Sequence, residues 1–129
     1  MPGTPVIPKN MQGSYDAFQF APGTTAGDQL ILSGQLGIGE DGQAIPDLEA
    51  QFTRAFESVG EILAEAGLGF EDVIDLFTFH VGLQDHLETF MKVKAKFIKE
   101  PFPSWTAIGI VELAVPGAAV EIRATAMLR

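Results

Sequence analysis

Among the charged side chains of this sequence, Glu121 stands in the least ordinary surroundings: it lies between Val120 and Ile122, with Arg123 and Thr125 on its own face of an alternating strand pattern. An ionised carboxylate in a largely apolar strand must be paired, hydrated or neutralised, because desolvating it alone costs several kcal/mol. Two readings follow. Glu121 is a structural partner of Arg123, or it is a cleft carboxylate whose raised pKa suits it to moving protons. Trp105, the single tryptophan, follows Pro101-Phe102-Pro103-Ser104 at the mouth of a strand. Its ring reads as core or interface packing, or as the flat wall of a small-molecule pocket. His80 and His86 have no carboxylate or ligand partner at motif spacing and read as structural or exposed histidines rather than as a catalytic base. Lys92, Lys96 and Lys99 line one helix face, which reads as a solvated one or as a patch for an anionic partner.

Much chemistry is excluded. The chain has no cysteine and only 2 histidines, which argues against thiol nucleophiles, zinc-thiolate sites and a histidine-rich metal centre. No phosphate-binding loop, dinucleotide fingerprint or nucleophile elbow is present. The glycines from Gly37 to Gly42 lead into more loop rather than a helix N-terminus, so they mark a hairpin. A formal charge of −9 gives no field to attract nucleic-acid phosphates. No stretch reads as a signal peptide or a membrane span, so the expected compartment is the cytoplasm.

The elements that must hold these residues can be read from periodicity. The 129 residues amount to one domain, with residues 1–16, rich in proline at Pro2, Pro5 and Pro8, expected to form a loose N-terminal arm. Residues 17–44 read as two or three antiparallel strands with a turn at Asp41-Gly42. Asp47 opens a helix whose apolar positions include Leu48, Phe52, Phe56, Val59, Ile62 and Leu63, and Gly67 closes it. Val73 to Val81 reads as a central strand. Asp85 and Glu88 suggest a capping box for a second helix with Leu87, Phe90, Met91, Phe97 and Ile98 inward, ended by Pro101. Ser104–Val111 and Ala119–Leu128 are the last strands. The order β-β-α-β-α-β-β describes an α+β domain, a mixed sheet with two helices on one face. The other face has no helix to cover it. Since 47% of the chain is hydrophobic, that face is the expected contact between subunits.

The sequence resembles the RidA (YjgF-type) family. The resemblance runs through Ile31-Leu32-Ser33-Gly34-Gln35, Asp41-Gly42, Gln51, Ala66-Gly67, Asp72-Val73, the stretch from Pro103 to Gly109, Pro116-Gly117 and Val120-Glu121-Ile122-Arg123-Ala124. It implies a chorismate-mutase-like fold in a homotrimer with a barrel-like core, and ligand clefts between neighbouring subunits. Members of the best-known branch hydrolyse enamines and imines such as 2-aminoacrylate to a keto acid and ammonia, without metal or organic cofactor. Carried over by position, the family's cleft glutamate is Glu121, its serine is Ser33, and its small residue after the arginine is Ala107. The cleft tyrosine falls on Phe20, which lacks the hydroxyl, and the asparagine of the second helix falls on Met91. The arginine that clamps the substrate carboxylate falls on Trp105, and an indole offers no bidentate fork.

The resemblance therefore implies an arginine-less branch of that family, not a competent 2-aminoacrylate deaminase, and two functions are in view. In the first, a small neutral enamine or imine binds between Trp105 and Phe20. Ser33 and the Ala107 amide then hold the polarised atom, Glu121 moves the proton, and Arg123 keeps Glu121 ionised. In the second, the same apolar cleft belongs to a non-catalytic trimer that binds a metabolite or protects other proteins. The endoribonuclease label attached to this family fits poorly with so acidic a chain.

Overall fold

A computed structural model describes residues 3–129. The strands are β1 (Pro5–Val6), β2 (Gly23–Ala26), β3 (Gln29–Leu32), β4 (Gln35–Leu36), β5 (Val73–His80), β6 (Ser104–Gly109) and β7 (Val120–Met127). The helices are α1 (Gln12–Phe18), α2 (Leu48–Glu65) and α3 (Leu83–Phe97). The strands form one sheet in the order β1-β2-β3-β7-β5-β6, with β4 also paired to β7. All pairings are antiparallel except β5 with β6, which α3 connects as a crossover helix.

Strand β7 carries the sheet. Val120, Ile122, Ala124 and Ala126 are buried, while Arg123 and Met127 are exposed and Glu121 and Thr125 lie between. The buried set meets Phe52, Phe56, Val59, Ile62 and Leu63 of α2, with Phe90 and Val93 of α3 completing the core. Phe56 stacks on Phe97 at 5.1 Å and Phe90 meets Phe52 edge-on at 5.4 Å, the offset and T-shaped geometries that aromatic quadrupoles favour. On the opposite face of the sheet stand Phe77, Phe79, Ile108, Arg123 and Met127, none of them fully buried.

Helix α2 follows its sequence signals. The Asp47 carboxylate accepts the Ala50 amide at 3.0 Å, and Gly67 takes φ +75° beyond the last turn. The Asp41-Gly42 turn is also in place, with Gly42 at φ +78° and the Asp41 carboxylate accepting from the Gln43 amide.

Three expectations require correction. Residues 1–16 are not a loose arm within the described part, though Met1 and Pro2 lie outside it. Pro5–Val6 pairs with Gly23–Thr24, Lys9–Met11 forms a 3-10 turn, and Met11 is buried. Such a two-residue edge strand and a seven-residue helix are too short to show periodicity. Helix α3 begins at Leu83 after Gly82 in the left-handed region, with no side-chain cap, so Asp85 lies inside the first turn and is not its N-cap. The inward face of α3 is correspondingly rotated. His86, Phe90 and Val93 are buried, whereas Leu87 and Met91 are 36% and 50% exposed.

One buried polar side chain ties the helical layer to the loops. The Gln51 amide donates to the carbonyls of Ile45 at 2.9 Å and Gly117 at 3.2 Å, and its oxygen accepts the Ala119 amide at 2.7 Å. Gly37 lies so close that a Cβ there would overlap the Gln51 backbone carbonyl. Replacing Gln51 with Leu would leave the buried Ala119 N–H without its acceptor. Chemical denaturation of Gln51→Leu is expected to show a loss of about 2–4 kcal/mol, and a loss below about 1 kcal/mol would deny Gln51 this role.

Candidate functional site

The sequence-derived site residues fall into two groups. The first lies where β3 leads into β4. Ser33 donates its hydroxyl to the Ala21 carbonyl at 2.7 Å and its amide to the Pro22 carbonyl at 2.8 Å, which fixes the segment containing Phe20 beside it. Phe20 itself is 41% exposed and lines a groove of about 560 Å³ with Tyr15, Asp16, Gln19 and Thr24. Gly34 faces Glu121 so closely that any Cβ there would overlap the Glu121 carboxyl group. Only glycine leaves room for that carboxyl to lie over the strand end.

Glu121 is half-buried, and burial raises its pKa above the ordinary glutamate value. Among the described residues neither Glu121 nor Arg123 forms an ion pair. The expected Glu121–Arg123 partnership is therefore absent. Side chains two apart on one strand face start roughly 7 Å from each other, and Arg123 extends into solvent. Without that partner the half-buried Glu121 carboxyl keeps a pKa raised by burial. Ser33 also differs from its expected role. Its hydroxyl proton is committed to Ala21, so its oxygen is left to accept rather than donate.

The second group lies on β6 and α3. Trp105 and Met91 line a second groove, of about 550 Å³, together with Lys94, Ile98 and Phe102. In register, Trp105 pairs with Leu76 and Ala107 with Thr78, on the helix-covered face, whereas Glu121 pairs with Phe79 on the other. Within one chain Trp105 and Glu121 therefore stand two strands apart on opposite faces of the sheet. Because Ile110 donates to the His80 carbonyl, the period-two alternation directs the amide of Ala107 away from β5, toward the open sheet edge.

Trp105 is anchored by a buried chain of polar side chains. Its indole N–H donates to Thr78 Oγ1 at 2.9 Å; Thr78 Oγ1 is 2.8 Å from His80 Nε2, and His80 Nδ1 is 2.9 Å from His86 Nε2. Burial, with the neighbouring His86 adding to it, lowers the His80 pKa to about 4. Burial also lowers that of His86, against the pull of Asp85. Both imidazoles are accordingly neutral near pH 7. This pair escapes a search for motif spacing because the contact joins a strand residue to a helix residue across a turn. Histidines at i and i+6 flanking Gly82 are the one signal that could have suggested it.

Lys94 is the other residue the sequence conceals, in a run where Lys92, Lys96 and Lys99 look alike. Its ammonium lies 4.6 Å from the Trp105 ring centroid and 5.9 Å from that of Phe102. The signal was its helical spacing, four residues from Phe90 and from Ile98. Among the described residues no three His, Asp or Glu side chains converge in a way that could hold a metal ion, and no helix is long and apolar enough to cross a membrane.

Comparison with known proteins places this arrangement among relatives. A family model described as Endoribonuclease L-PSP matches residues 14–128. The chain is 38% identical over 112 residues to the RutC family protein YjgH of Escherichia coli (strain K12), covering 86% of each protein. A solved structure of YjgH superposes with TM-score 0.90 at 35% identity, over 99% of this chain and 98% of that one. Rv2704 of Mycobacterium tuberculosis, from the YjgF/YER057c/UK114 family, shares the fold, with TM-score 0.82 at 21% identity over 98% and 99%.

The titration of the buried histidines has a measurable consequence. Each folded-state pKa is below the unfolded value near 6.5, so the unfolded chain binds more protons below that pH. Their contribution is complete above pH 6.5 and is lost as the pH falls toward about 4. Glu121 acts in the opposite sense, since its raised pKa lets the folded chain take up a proton first. Thermal unfolding between pH 7 and pH 5 should show a falling Tm, with a steeper fall in Glu121→Gln. A Tm that is level or rises across this range would contradict the neutral histidine pair.

Proposed function

The chain belongs to the Endoribonuclease L-PSP family, the RidA/YjgF group, and from that premise we propose that it binds and hydrolyses a small neutral imine or enamine in a cleft shared between copies of the chain. The observation that carries this reading is the Glu121 carboxyl, half-buried, unpaired and shifted toward the protonated form, beside a glycine that leaves space for it. A carboxyl in that state can protonate an enamine carbon or an imine nitrogen, and as its conjugate base can draw a proton from the attacking water. Water adds to the C=N carbon, the C–N bond breaks as nitrogen takes a proton, and the products are a carbonyl compound and ammonia.

The residues that would complete the site lie on the other face and edge of the sheet, which is the reason for invoking a second copy. The exposed face carrying Phe77, Phe79, Ile108 and Met127 supports a trimeric assembly that covers apolar surface. In that arrangement, the Ala107 edge amide and the Trp105 ring of one copy would approach Glu121, Ser33 and Phe20 of its neighbour. The indole offers no fork for a carboxylate and the chain carries −9, so a neutral ligand fits better than an anionic one. The same charge opposes RNA as a substrate despite the family's description.

Two measurements test the proposal. Ammonia release from a panel of neutral cyclic and acyclic imines should fall at least about 100-fold in Glu121→Gln while the variant keeps its fold, the scale of a lost general acid–base group. Wild-type protein inert on the whole panel would instead leave ligand binding without turnover. Light scattering should return three times the 13.8 kDa chain mass, and a monomer would remove the shared cleft altogether.

A further inference from the structure

The lysines of α3 are not equivalent. Lys92 and Lys96 both reach Glu49, at 3.6 and 3.5 Å, with side chains 66% and 56% exposed. Lys99, beyond the helix end, donates to the Ala95 carbonyl at 2.6 Å. Lys94 has neither kind of partner. Its Nζ lies in the groove between α3 and β6, against the face of Trp105 and near Phe102, and among the described residues it forms no ion pair within 4 Å. Glu100, the carboxylate on the groove wall, does not reach it.

We propose that Lys94 is a carbonyl-capturing amine, and that the groove it lines takes a small neutral aldehyde or ketone, or the corresponding imine, and joins it to Nζ as a Schiff base. The choice of compound class rests on the preceding reading; the reactivity of Lys94 does not. Three features support it. Burial lowers the Lys94 pKa below the ordinary lysine value, enlarging the fraction of free amine near neutral pH. The groove is largely apolar, and its tryptophan wall is held in place by the bond to Thr78 and the two histidines behind it, so a planar ligand meets a fixed surface. Finally, the ring face that attracts an ammonium also attracts a protonated imine, so Trp105 can hold the adduct where it holds the amine. The helix C-terminus favours a cation at Lys94 and Lys96 alike and does not separate them.

The step balances without an oxidant or reductant. The Nζ lone pair attacks the carbonyl carbon and the oxygen takes a proton, giving a carbinolamine. The C–O bond then breaks, water leaves, and C=N forms. If the ligand arrives as an imine, the same attack releases ammonia in place of water, and hydrolysis of the lysine adduct then returns the free amine and a carbonyl compound. The charged and titratable groups on the elements around this amine are Lys99 and Glu100 on the groove wall, Asp85, Glu88, Lys92 and Lys96 on the helix, and the His80–His86 pair behind Trp105.

The test is reductive trapping with benzaldehyde and cyanoborohydride at pH 7, read by peptide mass spectrometry on the full-length protein. The peptide carrying Lys94 is expected to gain the benzyl group clearly faster than those carrying Lys92 or Lys96, by about severalfold or more. Lys94→Met and Lys94→Arg should both lose this fast phase, the second while keeping the charge. In wild type, benzaldehyde should shift the fluorescence of the single tryptophan. Equal labelling of all lysines would overturn the proposal. So would a protein in which benzoate shifts the fluorescence and Lys94 stays unlabelled, since the amine would then be only a counter-charge. Fast labelling should persist in Glu121→Gln, so loss of the hydrolytic reading and loss of this one remain separate results.

Discussion

Everything in this fold depends on the alternation along β7. That strand is bonded to β3 and β4 on one side and to β5 on the other, so its register sets that of the sheet. With Val120, Ile122, Ala124 and Ala126 turned into the core, Glu121, Arg123 and Thr125 have only the other face available. A slip of one residue would bring Glu121 and Arg123 under α2 and expel four apolar side chains into water. The pattern that builds the core is thus the pattern that aims the carboxyl. Gly34 completes the placement, because the residue beside a half-buried carboxyl must have no side chain if that carboxyl is to remain over the strand end.

Polar groups inside the core follow a second constraint: each must find a partner, since a buried donor or acceptor left alone costs about 1–3 kcal/mol. Gln51 satisfies it by holding three loop backbones together. The Thr78–His80–His86 chain satisfies it by reaching Trp105, which makes the indole part of a buried polar system rather than a detachable surface ring. No buried side-chain nitrogen or oxygen among the described residues lacks a hydrogen-bond partner. The position where the family resemblance expects a clamping arginine is therefore occupied by a residue whose polar edge points inward. An arginine side chain at 105 would have to satisfy Thr78 in its place or turn outward and leave the chain incomplete.

Features controlled by neighbours in sequence were legible from the sequence. The Asp47 cap, the Gly67 terminus, the Asp41-Gly42 turn and the alternation of β7 each depend on residues within a few positions of one another. Features controlled by partners distant in the chain, or by very short elements, were not. An apolar-only count misplaces the amphipathic phase of α3 because it excludes His86, whose inward position is stabilised by His80 on another element. Strand β1 exists only because Gly23 and Thr24 are there to pair with it. Within the candidate site, Glu121 was legible as an anomaly of its strand. Its lack of an ionic partner was not, because residues at i and i+2 share a strand face without their charged ends having to meet. Lys94 was hidden by its neighbours' identity, and only the helical phase distinguishes it.

The division of the site between two faces of one sheet carries a consequence for specificity. A sheet separates the groups on its faces by the thickness of the backbone, and no side-chain rotation brings Glu121 and Trp105 together within one chain. A ligand that contacts both must lie between copies, and its surroundings are then set by two independent halves. The half on β7 supplies one desolvated carboxyl and accepting oxygens, whereas the half on α3 and β6 supplies aromatic faces, an edge amide and one amine. The half on α3 and β6 has tryptophan where a planar bidentate donor would recognise a carboxylate, so under the proposed function shape and proton transfer do most of the discriminating there. For a small apolar molecule that discrimination is weak, on the order of 1–3 kcal/mol per methylene. The proposed function therefore carries the expectation of a broad substrate range.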